Sequence, residues 1–210
     1  MTVEVTAPGA AATLSLKNQA SRPLNAQVRV FRWTQANGEE KYEPTQDVVA
    51  SPPSVAIQAN GTYALRVVRV SKAPVVGEET YRMLIDEIPD PARQRNSAIN
   101  LVLRYSVPVF FLAPEASQPK VAWSVSRKNG RLVVSVTNSG DKRLRIAGLK
   151  IRDSNGTLVS FGDGLLGYSL GRSTMRWTAP GRTSGFAGGA ASITAQTDVG
   201  TLNAQAAIQN

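Results

Sequence analysis

The chain has 210 residues, 42% of them hydrophobic, with 24 Lys and Arg against 15 Asp and Glu, and it contains neither cysteine nor histidine. That length holds one large domain or two of about 100 residues, and the hydrophobic fraction excludes a disordered polyampholyte. Without Cys or His there is no disulfide framework, no zinc or iron–sulfur site of the usual ligands, no thiol nucleophile and no imidazole-based triad. Enzymes and bound cofactors are therefore disfavoured from the outset, and no metal site is expected.

Taken in chain order, the pattern is β almost throughout. After Met1 the sequence runs straight into the alternating Val3-Glu4-Val5, with no charged start and no apolar run, so no signal peptide is read here. No stretch reaches the roughly 18 apolar residues of a membrane span. Residues 12–18 alternate apolar and polar; Val28 and Val30 do likewise, and then Phe31 and Trp33 move the apolar face by one residue, as a bulge would. Tyr63, Leu65 and Val67 form the next period-2 set, followed by Tyr81, Met83 and Ile85. A long run follows: Ile99, Leu101, Leu103, Tyr105, Val107, Val109 and Phe111. Beyond it, 121–125, 132–136, 144–151, 157–161 and 191–195 read as strands. Asn-Gly pairs at 37–38, 60–61, 129–130 and 155–156 lie between runs, where positive φ is cheap and hairpins close.

Short strands at this spacing predict an all-β protein of two immunoglobulin-like β-sandwich domains. The boundary is set at Leu112-Ala113-Pro114-Glu115-Ala116-Ser117-Gln118-Pro119, giving domains 1–114 and 115–210. The Gly-rich stretch 181–190 reads as a flexible loop of the second domain; it lacks the strand–loop–helix context of a phosphate cradle. Charge divides unevenly: residues 1–114 carry 12 basic and 10 acidic side chains, against 12 and 5 for residues 115–210. Nine of the latter basic residues fall between Lys120 and Arg152. The run lacks the interleaved aromatics that base stacking requires, so nucleic acid is not expected as a partner.

Four segments resemble the periplasmic chaperones of the chaperone–usher pilus pathway. They are Gln27–Trp33, Ala50-Ser51-Pro52-Pro53, Tyr81–Pro89 and Leu103–Phe111. The resemblance runs from about residue 12 to 115 and continues more weakly to Asp198-Val199-Gly200; its wording is closest to the archaic branch. It implies two sandwiches in an L or boomerang arrangement. It also implies residence in the periplasm, binding of pilin subunits by donor-strand complementation, delivery to an outer-membrane usher, and neither enzymatic activity nor membrane insertion. An exposed donor edge would also allow free copies to associate. Periodicity alone reads 99–111 as a central strand; the resemblance makes it the donor strand, with Ile99, Leu101, Leu103 and Tyr105 entering the subunit's groove.

The better-known branch anchors the subunit's terminal carboxylate with an arginine and a lysine, but their positions fall on Thr2 and Pro108. Arg82 and Arg104 are the candidate replacements, Arg104 favoured for its face, with Arg66 and Arg69 behind them. Glu87 and Asp198 match two members of the family's interdomain ionic cluster, whose arginine falls on Ala113. Pro108 is expected to end the regular donor segment or shift its register. The competing reading is a two-domain structural or adhesive surface component.

Overall fold

The computed structural model describes residues 1–89, 102–183 and 185–209, and all regular structure among them is β. The chain divides into two compact units, Met1–Thr34 with Tyr42–Pro114, and Gln35–Lys41 with Glu115–Asn210. The first strands are β1 (Val3–Thr6), β2 (Ala11–Lys17), β3 (Leu24–Ala36), β4 (Glu39–Pro44) and β5 (Val48–Ser51). β6 (Ser54–Ile57), β7 (Thr62–Arg69), β8 (Glu78–Ile88) and β9 (Arg104–Leu112) follow. In the remainder lie β10 (Val121–Lys128), β11 (Arg131–Asn138), β12 (Leu144–Asp153) and β13 (Leu158–Ser160). The last are β14 (Leu165–Ser169), β15 (Ser173–Thr178), β16 (Ala190–Thr197) and β17 (Gly200–Gln209).

Unit 1 is a sandwich. One sheet has the order β1-β9-β8-β3-β4, with β6 also on β3; the other is β2-β7-β5. Alternation places Val28, Tyr81, Met83, Ile85, Val107, Val109 and Phe111 on the inner face of the first sheet, against Leu14, Leu65 and Val67 of the second. Each such side chain, fully buried, contributes about 1.5–3 kcal/mol. One end of the core is closed by an ion pair between the sheets: Arg69 donates from Nε and Nη2 to the Glu79 carboxylate, each at 2.8 Å. Two further Arg69 bonds go to the carbonyls of Ser71 and Ala73, and the side chain is only 7% exposed. With its guanidinium so occupied, Arg69 drops out as a carboxylate anchor. Arg66 is exposed on β7, in the sheet that does not contain β9.

Unit 2 follows the strand path β13-β12-β16-β17-β10-β11-β15, with β14 on β12. Val125, Leu132, Val134 and Val136 pack in one core with Ile146, Leu149, Ile151 and Ile193. In both units a buried asparagine ties off a turn. Asn18 bonds to Ile57, Gln58 and Arg22 carbonyls, and Asn138 bonds to Lys142 and Ser169 carbonyls while accepting from Lys120 and Gly140. These side chains meet the requirement that buried polar groups be bonded.

Four local expectations are corrected. The β3–β8 register runs unbroken from Asn25↔Ile88 to Arg32↔Tyr81, so no bulge separates Val30 from Phe31. The buried face changes along β3 instead: Trp33 lies on the side opposite Val28, its ring 6.0 Å from that of Phe110. Only two of the four Asn-Gly pairs are two-residue hairpin loops: Asn37-Gly38 and Asn129-Gly130 both have positive φ and join β3 to β4 and β10 to β11. Asn60-Gly61 leads from a strand of one sheet into a strand of the other, and Asn155-Gly156 lies in a longer loop. The 181–190 loop is held down, because Phe186 is buried and the Ala187 amide donates to Asp153.

Pro108 neither ends nor shifts β9. The β8–β9 ladder is continuous from Glu78↔Leu112 to Asp86↔Arg104, with Arg82 opposite Pro108. Glu87 donates to the Leu103 carbonyl, and Ala113 to that of Gly77. Bonded pairs alternate, so the Arg82–Pro108 pair exchanges no hydrogen bonds. Proline's missing N–H thus faces the β1 side, where pairing starts only at Val3↔Val109. The residue is tolerated because nothing there needs its donor.

Candidate functional site

The site grows from how β1 covers β9. Parallel pairing spans only Val3↔Val109 to Thr6↔Leu112, so the first half of β9 has β8 on one side and no strand on the other among the described residues. The alternation derived above leaves the N–H and C=O of Arg104 and Ser106 pointing to that open side. Glu87 fixes the start of the edge: its amide donates to the Leu103 carbonyl at 2.9 Å, and its Oε2 accepts from the Leu103 amide at 3.3 Å.

Side chains change character along the same strand. Val107, Val109 and Phe111 are buried in unit 1, whereas Leu103 and Tyr105, on the same face, are 56% and 60% exposed. Val102 is also exposed. Beside Tyr105 the sandwich opens into an apolar hollow of about 360 Å³, lined by Leu16, Ile57, Ile85 and Val107. A row of apolar side chains thus leaves its own core and continues into solvent along an unpaired edge, the arrangement that other proteins protect against association. Over the described part of 99–111 the strand is core from Val107 onward and an exposed edge before it. Ile99 and Leu101 lie outside the described residues.

The opposite face is charged. Asp86 stands directly across from Arg104, and its carboxylate receives Arg104 Nε on one oxygen and Arg29 Nη2 at 2.6 Å on the other. The Arg104 hydrogen bond, then that of Arg29, holds the Asp86 pKa below the ordinary carboxylate value against the opposing effect of burial. Further along that face, the Arg82 guanidinium lies 3.8 Å above the Trp33 ring, a cation–π contact. Since Arg82 faces Pro108 in a non-bonded pair, the two side chains share one face at close range. Arg82 therefore stands across from Pro108, the position onto which the resemblance puts the donor-strand lysine.

At the closed end of the core, burial pushes the Glu79 carboxyl upward, but hydrogen bonds from Arg69 and Tyr81 outweigh it and leave the pKa lowered. The Tyr81 hydroxyl donates to Glu79 at 3.0 Å and accepts from Arg32 at 2.9 Å; burial drives its own pKa well upward. This network pins β8 between sheets and stands apart from the open edge. Among the matched acids, Glu87 is engaged by Leu103, and Asp198 accepts from the Arg145 amide. Sequence reasoning missed the Asp86 bridge and the Arg82–Trp33 stack. The Asp86–Arg104 pair becomes legible once β8 and β9 are registered, and the Arg29 and Trp33 contacts once β3 is registered against β8.

Fold and edge together define an all-β protein of two sandwiches in which, among the described residues, half of one strand is open on one side. The model of the pili and flagellar-assembly chaperone family, PapD N-terminal domain, matches residues 1–117. That is more than half of the chain, and the protein belongs to this family of pilus-assembly chaperones. Solved structures share the fold over its whole length. One is the CsuC–CsuE chaperone–tip adhesion subunit pre-assembly complex from archaic chaperone–usher Csu pili of Acinetobacter baumannii, with a TM-score of 0.75 and 22% identity over 100% of this chain and 96% of that chain. The Salmonella enterica SafA pilin complex with the SafB chaperone gives 0.65 and 19%, covering 97% of this chain and 92% of that one. The CupB2 chaperone of Pseudomonas aeruginosa gives 0.62 and 19%, covering 99% and 97%. A search of curated protein sequences returns no match.

Proposed function

We propose that this chain is a periplasmic chaperone of the archaic branch that binds pilin subunits by donor-strand complementation and delivers them to an outer-membrane usher, without enzymatic activity. The observation that carries the reading is the half-covered strand β9. Arg104 and Ser106 offer backbone groups to an incoming strand, while Leu103 and Tyr105 present apolar side chains beside them. A subunit whose sandwich lacks a strand supplies the complementary edge and groove. The donor segment extends toward Leu101 and Ile99, and residues 1–114 form the donating domain, with 115–210 as the second. The structural-component alternative has no comparable support from the family to which the chain belongs.

Arg82 is the better anchor for the subunit's terminal carboxylate. It faces Pro108 and lies on an aromatic platform that lowers the local dielectric and strengthens a bidentate pair. Arg104 is 62% exposed and already paired with Asp86. The reading is tested by co-expression with a pilin from the same operon. The expected result is a soluble one-to-one complex that protects the subunit from proteolysis; subunit that stays unprotected would refute it.

A further inference from the structure

The outer face of β10, β11 and β15 has a charge pattern that donor-strand binding does not use. Val125, Leu132, Val134 and Val136 point inward, so alternate residues of these strands form the opposite face. Its rungs are fixed by register: Lys128↔Arg131 at the hairpin end, then Ser126↔Val133↔Thr178, then Ser124↔Ser135↔Arg176. Lys128 and Arg131 oppose each other directly across the Asn129-Gly130 turn, a like-charge placement that destabilises a sheet. With Arg182 they surround a hollow of about 540 Å³ floored by Val133 and Thr178. All three cations are exposed, and among the described residues no carboxylate pairs with them.

Four of the unit's acids are engaged elsewhere, while Glu39 lines the neighbouring hollow with Lys128 and Arg176. Asp141 pairs with Arg172 and Asp163 with Lys150. Asp153 is capped by the amides of Asn155, Thr157 and Ala187, and Asp198 by that of Arg145. No carboxylate lines the hollow between Lys128, Arg131 and Arg182, so the positive field there is left for something outside the unit.

We propose that this face docks an extended acidic segment of a partner polypeptide. The cations run lengthwise: Arg176 lies two rungs, about 13 Å, beyond Arg131 at roughly 3.4 Å per residue, with small hydroxyl residues between them, and one of its guanidinium nitrogens donates to the Asn37 carbonyl at 3.1 Å. An extended chain with carboxylates on alternate residues has a matching period, and arginine forks bind carboxylates bidentately. No large apolar side chain projects from these rungs to insert into a lipid surface; Val133 is half-buried in the floor.

The test uses the full chain and a fluorescein-labelled hexaglutamate peptide, read by anisotropy at low and moderate salt. The triple variant Lys128→Glu, Arg131→Glu, Arg182→Glu is compared with Arg22→Glu, Arg66→Glu, Lys72→Glu, which makes the same change in net charge at exposed positions of unit 1. The expected outcome is at least a tenfold loss of affinity for the first and less than twofold for the second. The milder Lys128→Gln, Arg131→Gln, Arg182→Gln variant should also lose affinity, guarding against misfolding. Equal loss in both glutamate variants, or no peptide binding by the wild type, overturns the proposal. So does patch-dependent binding to vesicles of anionic phospholipid without binding to the peptide.

Discussion

Replacing Leu103 and Tyr105 together by alanine should separate binding from folding. In the free protein these side chains are 56% and 60% exposed, so the double variant should unfold within about 0.5 kcal/mol of the wild type. In a complex their exposed halves would be buried in the subunit's groove. Full burial of a large apolar side chain is worth about 1.5–3 kcal/mol, and a little over half of that for each of two residues comes to about 2–3 kcal/mol. At 1.4 kcal/mol per decade this is a roughly 30- to 150-fold loss of affinity. Leu103→Asp with Tyr105→Asp should abolish capture, because it also buries charge. The assay is competition for a purified subunit, with urea unfolding of the free chaperone alongside. Wild-type affinity in the alanine variant, or destabilisation of the free protein by several kcal/mol, would refute the reasoning.

Three further outcomes are expected. Arg82→Met should weaken subunit capture at least tenfold in the same competition assay while Arg104→Met changes it by less than threefold; the reverse order would return the anchor to Arg104. Arg69→Met leaves Glu79 buried without its cation, and urea unfolding should register a loss of about 3 kcal/mol. Asp86→Asn should cost about 0.5–1 kcal/mol at neutral pH, since its arginine partners are half exposed. The Asp86 pKa is lowered on folding, so its contribution is complete above the unfolded value of about 3.9 and disappears as pH falls through the lower folded value. Urea midpoints against pH should therefore converge for wild type and variant as pH falls well below the unfolded carboxylate value of about 3.9.

How far the sequence could be read depended on whether a residue's role was local. Tyr81, Met83, Ile85 and Val107, Val109, Phe111 alternate at period 2 because they line the sheet face turned to the core of unit 1, and all six lie in it. β17 escaped notice because two of its four inward residues, Ala204 and Ala206 between Leu202 and Ile208, are small, which weakens the alternation. Phe31 and Trp33 suggested a bulge because a single sequence does not reveal that Trp33 faces Phe110 on the sheet's other side. Pro108 misled for a related reason. Whether a missing donor matters depends on which neighbour it would face, and that follows from the β8–β9 register rather than from the residue itself. The anchor candidates were reordered by the same register, which sets Arg82 against Pro108 and Arg104 against Asp86. The basic character of residues 115–210 was plain in the composition, but its concentration around Lys128, Arg131 and Arg182 required the turn at Asn129-Gly130 and the following loop to be placed together.

The most direct measurement of the central claim is amide hydrogen exchange of the chaperone with and without bound subunit, resolved to single residues. Strand addition to the open side of β9 predicts that the Arg104 and Ser106 amides exchange freely in the isolated protein and become strongly protected in the complex. The Val107 and Val109 amides, already bonded within the sheet, should change far less. A stable complex in which Arg104 and Ser106 stay unprotected, while protection appears on other strands, would contradict the account.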